Sequence, residues 1–263
     1  MSSITEKQFY VDHPGGKLYT KQWIPVDIEH SQLAPILLFH DSLGCVDLWR
    51  DFPKALAGAT HRIVIAYDRL GFGKSDPHSG ILANDFVFTE ATAGFAAVCR
   101  HFRLNDVVCF GHSVGGGMAV ACAAAFPESC CGVITESAQA FVEDKTLEGI
   151  RTAKESFRDI DQLQRLAKYH SDKAEWVLHA WTETWLAENF LNFSLDEVLP
   201  KVKCPVLAIH GDQDEYGSIV HPQMISQRCS GPASIKIIAN CGHVPHKEKQ
   251  AEVIKMVTAF LAG

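Results

Sequence analysis

Apolar and polar residues alternate over two early stretches of the chain, 8–12 and 17–23, and between them stands His13-Pro14-Gly15-Gly16, a composition suited to a tight turn. The pattern predicts a β-hairpin. Further along, the alternation gives way to short runs that are apolar throughout, at 36–39, 63–67, 107–110, 132–135, 206–209 and 235–239. Between most of these runs lie amphipathic stretches of helical length, at 47–57, 84–102, 118–126, 218–229 and 250–261. Wholly apolar strands that alternate with helices predict an α/β fold: a mainly parallel central sheet of about eight strands, covered by helices on both faces. In such sheets the working crevice opens at the carboxyl ends of the strands.

One interval breaks the rhythm. About seventy residues separate the run ending near Thr135 from the run starting near Val206, far more than a crossover needs. Within it, 147–169 and 174–189 have helical periodicity, and the second carries Trp176, Trp181 and Trp185. The interval reads as a helical cap insertion, 139–197, laid over the carboxyl edge of a core formed by 1–138 and 198–263.

Composition narrows the classes of function. The chain has 263 residues, 47% of them apolar, enough for a sheet buried on both faces. Its 24 basic and 31 acidic residues leave a net charge of −7 without a basic cluster, so a nucleic-acid partner is not expected. The first ten residues are polar, and no apolar run approaches a membrane span, so the protein is expected to be soluble and cytoplasmic. Nine cysteines are scattered without metal-ligand spacing; reduced thiols are expected, with Cys109, Cys122, Cys131 and Cys204 as small core residues, and no metal is assigned.

The chemistry gathers around Gly111-His112-Ser113-Val114-Gly115, which follows one apolar run and precedes the Ala-rich helical stretch. This G-x-S-x-G pattern needs its glycines because the turn is too sharp for side chains two residues either side of the serine. Ser113 is thus a candidate nucleophile. A serine hydroxyl needs a base, and the base needs an orienting carboxylate. Two later runs end in suitable segments: His210-Gly211-Asp212-Gln213-Asp214-Glu215 after 206–209, and Asn240-Cys241-Gly242-His243 after 235–239. All the candidates follow sheet strands and can converge above one edge.

Four stretches together resemble a capped α/β-hydrolase over essentially the whole chain. They are Leu37-Leu38-Phe39-His40-Asp41-Ser42-Leu43-Gly44, Tyr67-Asp68-Arg69-Leu70-Gly71-Phe72-Gly73-Lys74-Ser75-Asp76, the pentapeptide around Ser113, and the pair formed by 211–214 with Gly242-His243. The resemblance implies Ser113 as nucleophile, His243 as general base and Asp214 as the acid that orients it. It also implies an oxyanion hole from the backbone N–H groups of Ser42 and Val114; the latter begins a helix, where the first N–H groups are unpaired. Many relatives carry glycine where this chain has Asp41, and a carboxylate there would oppose an oxyanion unless it points away.

Rival assignments exist for the acid: Asp212 and Glu215 flank Asp214 and read as solvated loop charges, while Glu136 ends the preceding strand, where some relatives place their acid. His246 reads as a supporting or surface residue, and His112 as packing beneath the turn. The function expected from the resemblance is a serine hydrolase that cleaves an ester or similar small acyl substrate through an acyl-enzyme, with no cofactor. Thioesterase, carbon–carbon bond hydrolase, amidase, acyltransferase and a non-catalytic ligand-binding role are the alternatives. Trp176, Trp181 and Trp185 are expected to line an apolar acyl pocket in part, against core packing within the insertion.

Overall fold

A computed structural model of the chain describes residues 3–26 and 33–263. Residues 1–2, which head the polar N-terminal stretch, and 27–32, within the expected core, lie outside the described residues. Eight strands form one sheet: β1 (Ile4–His13), β2 (Gly16–Pro25), β3 (Ile36–Phe39), β4 (Val64–Tyr67), β5 (Val107–His112), β6 (Cys130–Glu136), β7 (Val206–Gly211) and β8 (Ala233–Ile238). Their spatial order is β1-β2-β4-β3-β5-β6-β7-β8. The hairpin is antiparallel, with His13 opposite Gly16, and β2 is antiparallel to β4. All the other neighbouring pairs are parallel.

Ten helices accompany the sheet: α1 (Phe52–Thr60), α2 (Phe86–Thr89), α3 (Gly94–Phe102), α4 (Val114–Ala125), α5 (Asp144–Ser156), α6 (Ile160–His170), α7 (Ala174–Trp185), α8 (Val220–Arg228), α9 (Pro245–Glu248) and α10 (Gln250–Ala262), counted among the described residues. The wholly apolar runs are explained by burial on both faces. Ile36 and Leu38 of β3 pack with Phe52 and Leu56 of α1 and with Val253 and Val257 of α10. Leu37 and Phe39, one residue out of phase, pack with Phe95 and Val98 of α3 and Met118 of α4. Side chains of a strand alternate between faces, so one four-residue run anchors both helical layers. Truncating such a residue, Leu37→Ala for example, costs about 2–5 kcal/mol.

Several boundaries differ from the expectation. The stretch 84–102 is two helices, because the chain turns at 90–93, where Glu90 folds back to accept the Tyr67 hydroxyl at 2.5 Å. A side chain at Gly94 would meet Glu90 Oε1 at 2.1 Å. The stretch 147–169 is also two helices, and Asp159 caps the second by accepting the Asp161 N–H at 3.0 Å. Helix α4 begins at Val114, four residues earlier than the apolar stretch suggested, and runs through Gly115, Gly116 and Gly117. Cys131 is exposed rather than in the core. It falls where β6 shifts register against β5, with Cys130 opposite Val107 and Gly132 opposite Val108, so it is the extra residue of a bulge and turns outward. All nine cysteines are free thiols.

Helices α5, α6 and α7 lie in the long interval between β6 and β7. The chain enters and leaves this interval side by side: Phe141 and Ser194 form an isolated antiparallel bridge, and the Leu195 N–H donates to the Ala140 carbonyl at 2.7 Å. Among the described residues no helix is long and apolar enough to cross a membrane.

Candidate active site

The turn from β5 into α4 is built on two close approaches. A Cβ on Gly111 would lie 1.9 Å from the Gly115 carbonyl oxygen, and a Cβ on Gly115 would lie 2.2 Å from that of Phe39. Backbone atoms cannot yield such space, so both positions require glycine. Between them Ser113 is held at φ 55° and ψ −126°, a conformation L-residues avoid. Its N–H donates to the Glu136 carbonyl at 2.8 Å, which ties the strained residue to the end of β6.

Above this turn the structure brings together Ser113, His243 and Asp214. His243 Nε2 lies 3.0 Å from Ser113 Oγ, and His243 Nδ1 lies 2.9 Å from each Asp214 carboxylate oxygen. A carboxylate only accepts, so Nδ1 carries the proton and Nε2 is free to take one from the hydroxyl. Asp214 sits in the turn after β7, where Oδ1 also accepts the N–H groups of Tyr216 at 2.8 Å and Gly217 at 3.1 Å. Burial alone would raise its pKa, but the hydrogen bond and charge of His243, the charge of His210 and the Tyr216 N–H bring it down to about 2. It therefore stays a carboxylate through the physiological range.

The other carboxylates have separate tasks. Glu215 Oε2 accepts the His243 N–H at 3.2 Å. Glu248 accepts the N–H groups of Gly242 at 2.8 Å and Val244 at 3.1 Å, so two glutamates fix the backbone of the loop that carries His243. Asp212 accepts the Cys241 N–H at 3.3 Å. Glu136 points to the far side of the turn and pairs with His246 Nδ1 at 2.5 Å, not with His243. Neither the glutamate grip on this loop nor the Glu136–His246 pair is visible in sequence spacing, because each joins residues from different loops.

The N–H of Val114 opens α4 and has no acceptor within the helix. Ser42 lies in the loop after β3 and borders the same cavity as Ser113. Asp41, next to it, does not leave its carboxylate free: Oδ1 accepts the Leu43 N–H at 2.8 Å, and Oδ2 faces His112 Nδ1 at 3.3 Å. Burial opposes the charge of Asp41, yet the hydrogen bond and charge of His112 hold it well below the usual carboxylate range. His40 braces the loop from behind, with Nδ1 donating to the Asp41 carbonyl at 2.8 Å and Nε2 accepting the Arg69 N–H at 3.1 Å.

The cavity over Ser113 has a volume of about 150 Å³. Its walls come from the loop after β3 (Leu43), from α5 (Thr146 and Ile150), from α7 (Trp181 and Trp185) and from the loop after β7 (Tyr216). Gln139 also borders it, with Oε1 placed 3.3 Å from Ser113 Oγ; this neighbour of the serine was not foreseen from the sequence, which offers only its position after a strand. Trp176 does not reach the cavity, contrary to the expectation. It stacks on His78, with ring centroids 5.1 Å apart, and its Nε1 donates to the Gly80 carbonyl at 2.8 Å. The helical period explains the split: 181 and 185 are one turn apart, whereas 176 is about 140° around the helix from 181.

His112, Glu136 and His246 bring ligand-type atoms within 4.8 Å of one another. Those atoms are already engaged, since His112 Nε2 faces the His243 carbonyl at 2.8 Å, its Nδ1 faces Asp41, and His246 is bound to Glu136. A cation would have to displace several of these bonds.

The family model for the alpha/beta hydrolase fold matches residues 34–163. The chain is similar to the serine hydrolase BPHL of Homo sapiens, 26% identical over 234 residues that cover 86% of this chain and 78% of that protein. It is also similar to a 2-hydroxy-6-oxo-2,4-heptadienoate hydrolase of Pseudomonas putida, 22% identical over 251 residues covering 87% and 89% of the two chains. Among solved structures, a thermophilic esterase from Thermogutta terrifontis superposes with a TM-score of 0.74 at 18% identity, covering 97% of this chain and 98% of that one.

Proposed function

Because the chain belongs to the α/β-hydrolase fold superfamily and its relatives are hydrolases, we propose that it is a serine hydrolase cleaving small, uncharged acyl esters through an acyl-enzyme. The observation that carries this reading is the in-line set of Ser113 Oγ, His243 Nε2 and the Asp214 carboxylate, at 3.0 and 2.9 Å, inside a cavity. In the proposed reaction Ser113 Oγ attacks the acyl carbonyl while His243 Nε2 takes the hydroxyl proton. Asp214 stabilises the imidazolium, and the N–H groups of Val114 and Ser42 receive the oxyanion. Collapse transfers the proton from His243 to the departing alkoxide. A water then attacks the acyl group, with His243 again the base, and frees Ser113.

The walls of the cavity argue for the substrate class. No lysine or arginine is among the described residues that line it, and its one carboxylate, Asp41, is committed to Leu43 and His112. A substrate with a carboxylate, such as the dienoate in the name of the Pseudomonas relative, would find no cation beside it. An amine substrate would find no free carboxylate. A cavity of about 150 Å³ is comparable to one that holds a benzene molecule, so the acyl group is the size of one ring or a short branched chain. In this reading residues 139–197 form the cap of the core, and the side-by-side crossing at Ala140 and Leu195 is its hinge of entry.

A panel of p-nitrophenyl esters and thioesters, graded in acyl length and paired with carboxylate- and ammonium-bearing analogues, tests the proposal. Neutral acyl groups of two to about seven carbons should give the highest kcat/KM. A maximum on long acyl chains, or on either charged series, would contradict it.

A further inference from the structure

His112 stands immediately before Ser113, is 1% exposed, and touches three loops at once. Its Nε2 lies 2.8 Å from the backbone carbonyl of His243, and its Nδ1 lies 3.3 Å from Asp41 Oδ2. A carbonyl oxygen accepts only, so Nε2 carries a proton. The Asp41 carboxylate, already receiving the Leu43 N–H, is an acceptor too, so Nδ1 carries a second. Both ring nitrogens are therefore donors, and the ring is an imidazolium.

We propose that His112, as a buried imidazolium paired with Asp41, is a positioning residue that fastens the oxyanion loop to the loop bearing His243 across the base of the nucleophile turn. This rests on the reading of Ser113 and His243 as the reacting pair. It also accounts for Asp41, where many relatives carry glycine: the carboxylate faces away from the expected oxyanion and supplies the counter-charge that keeps His112 protonated. Ser42 lies between Asp41 and Leu43, whose N–H closes on the same carboxylate. The donor expected at Ser42 is thus held by a turn that His112 clamps.

The charged and titratable groups around the ring are few. Asp41 faces it from the loop after β3, and Glu136 lies beyond it at the end of β6. His246 of α9 meets it edge-on, with ring centroids 5.0 Å apart, and His243 lies tilted at 5.1 Å. Lys247, also of α9, acts on Asp41. Burial alone would lower the pKa of His112, but the Asp41 hydrogen bond and the charges of Glu136 and Asp41, helped by the His243 carbonyl, raise it above the ordinary imidazole value. A histidine whose folded pKa is raised holds its partner fully below the unfolded value and loses it as pH climbs through the folded value. The clamp should therefore loosen on the alkaline side, independently of the acid side on which His243 must lose its proton.

Protein labelled with ¹⁵N-histidine tests the proposal by ring nitrogen–proton correlation from pH 6 to 9, with His112→Gln identifying the signal. One ring should keep both nitrogens protonated at pH 8, and in Asp41→Asn that ring should become singly protonated. The alkaline fall of kcat/KM for a p-nitrophenyl ester should move at least one pH unit lower in Asp41→Asn and vanish in His112→Gln. His112→Gln should lower kcat about a hundred-fold with KM nearly unchanged, the scale of a reacting group displaced by an ångström. Should His112→Gln fail to fold, Asp41→Asn identifies the ring and supplies the profile. A singly protonated His112 at pH 7 in the unmodified protein, or an alkaline limb indifferent to Asp41→Asn, overturns the clamp. Neither outcome touches the assignment of Ser113, which falls only if an active-site-directed label fails to reach it.

Discussion

Replacing Asp214 by asparagine keeps the size of the side chain and changes one oxygen to an amide nitrogen. The structure dictates which. Oδ1 receives two backbone N–H groups, from Tyr216 at 2.8 Å and Gly217 at 3.1 Å, so the amide nitrogen must take the place of Oδ2. Oδ2 lies 2.9 Å from His243 Nδ1, and an N–H now points at that N–H. The imidazole relieves the conflict by moving its proton to Nε2, the atom that has to accept the Ser113 proton. Asp214 is drawn from an ordinary 3.8 to about 2 by its partners, which corresponds to roughly 2 kcal/mol of mutual stabilisation with the neutral ring, or about thirtyfold. The wrong tautomer and the unsupported imidazolium of the transition state add to this, and losses of about ten-thousand-fold follow the same change in other triads. Asp214→Asn should thus lower kcat by a factor of about a thousand to ten thousand, with KM within a few-fold, measured by stopped-flow acylation of a p-nitrophenyl ester. Asp212→Asn should stay within a few-fold of the unmodified enzyme, and so should Glu136→Gln in any preparation that folds. A kcat for Asp214→Asn within tenfold of the starting protein would refute the argument, and a larger loss for Glu136→Gln would move the acid to the end of β6.

Gly115→Ala would place a methyl group 2.2 Å from the Phe39 carbonyl oxygen; overpacking of this kind costs about 1–3 kcal/mol or more, to be read as a lower urea midpoint at unchanged slope. Trp181→Ala should enlarge the cavity and shift the preferred acyl group to longer chains. Trp176→Ala should lower thermal stability and leave the acyl-length profile alone, since it removes packing on His78 and Phe72 rather than a cavity wall; a profile shifted by Trp176→Ala but not by Trp181→Ala would reverse the assignment of the two faces of α7.

Much of the fold was legible because burial on both faces leaves a mark in the sequence. The run at 36–39 is β3 residue for residue, and 206–209 and 107–110 are the starts of β7 and β5. The turn around Ser113 was legible for a steric reason, as only glycine fits at 111 and 115. What was illegible depends on partners far along the chain. The start of α4 could not be read because three glycines disfavour a helix on their own, yet Gly115 is forced against β3. His112 reads as a packing residue until the carbonyl of His243 is placed against it. The three tryptophans looked alike in composition, and only the phase of α7 separates two cavity walls from a surface brace. Cys131 reads as core from its apolar neighbours, and one bulge in register turns it to the outside.

The central claim, that Ser113 is the acylated nucleophile, is tested most directly by intact-mass and peptide-mass analysis after exposure to a fluorophosphonate. One adduct per chain is predicted, on the peptide containing Ser113, with Ser113→Ala taking up no label and losing several orders of magnitude in ester turnover. An adduct on another residue, no adduct at all, or near-normal turnover by Ser113→Ala would contradict it.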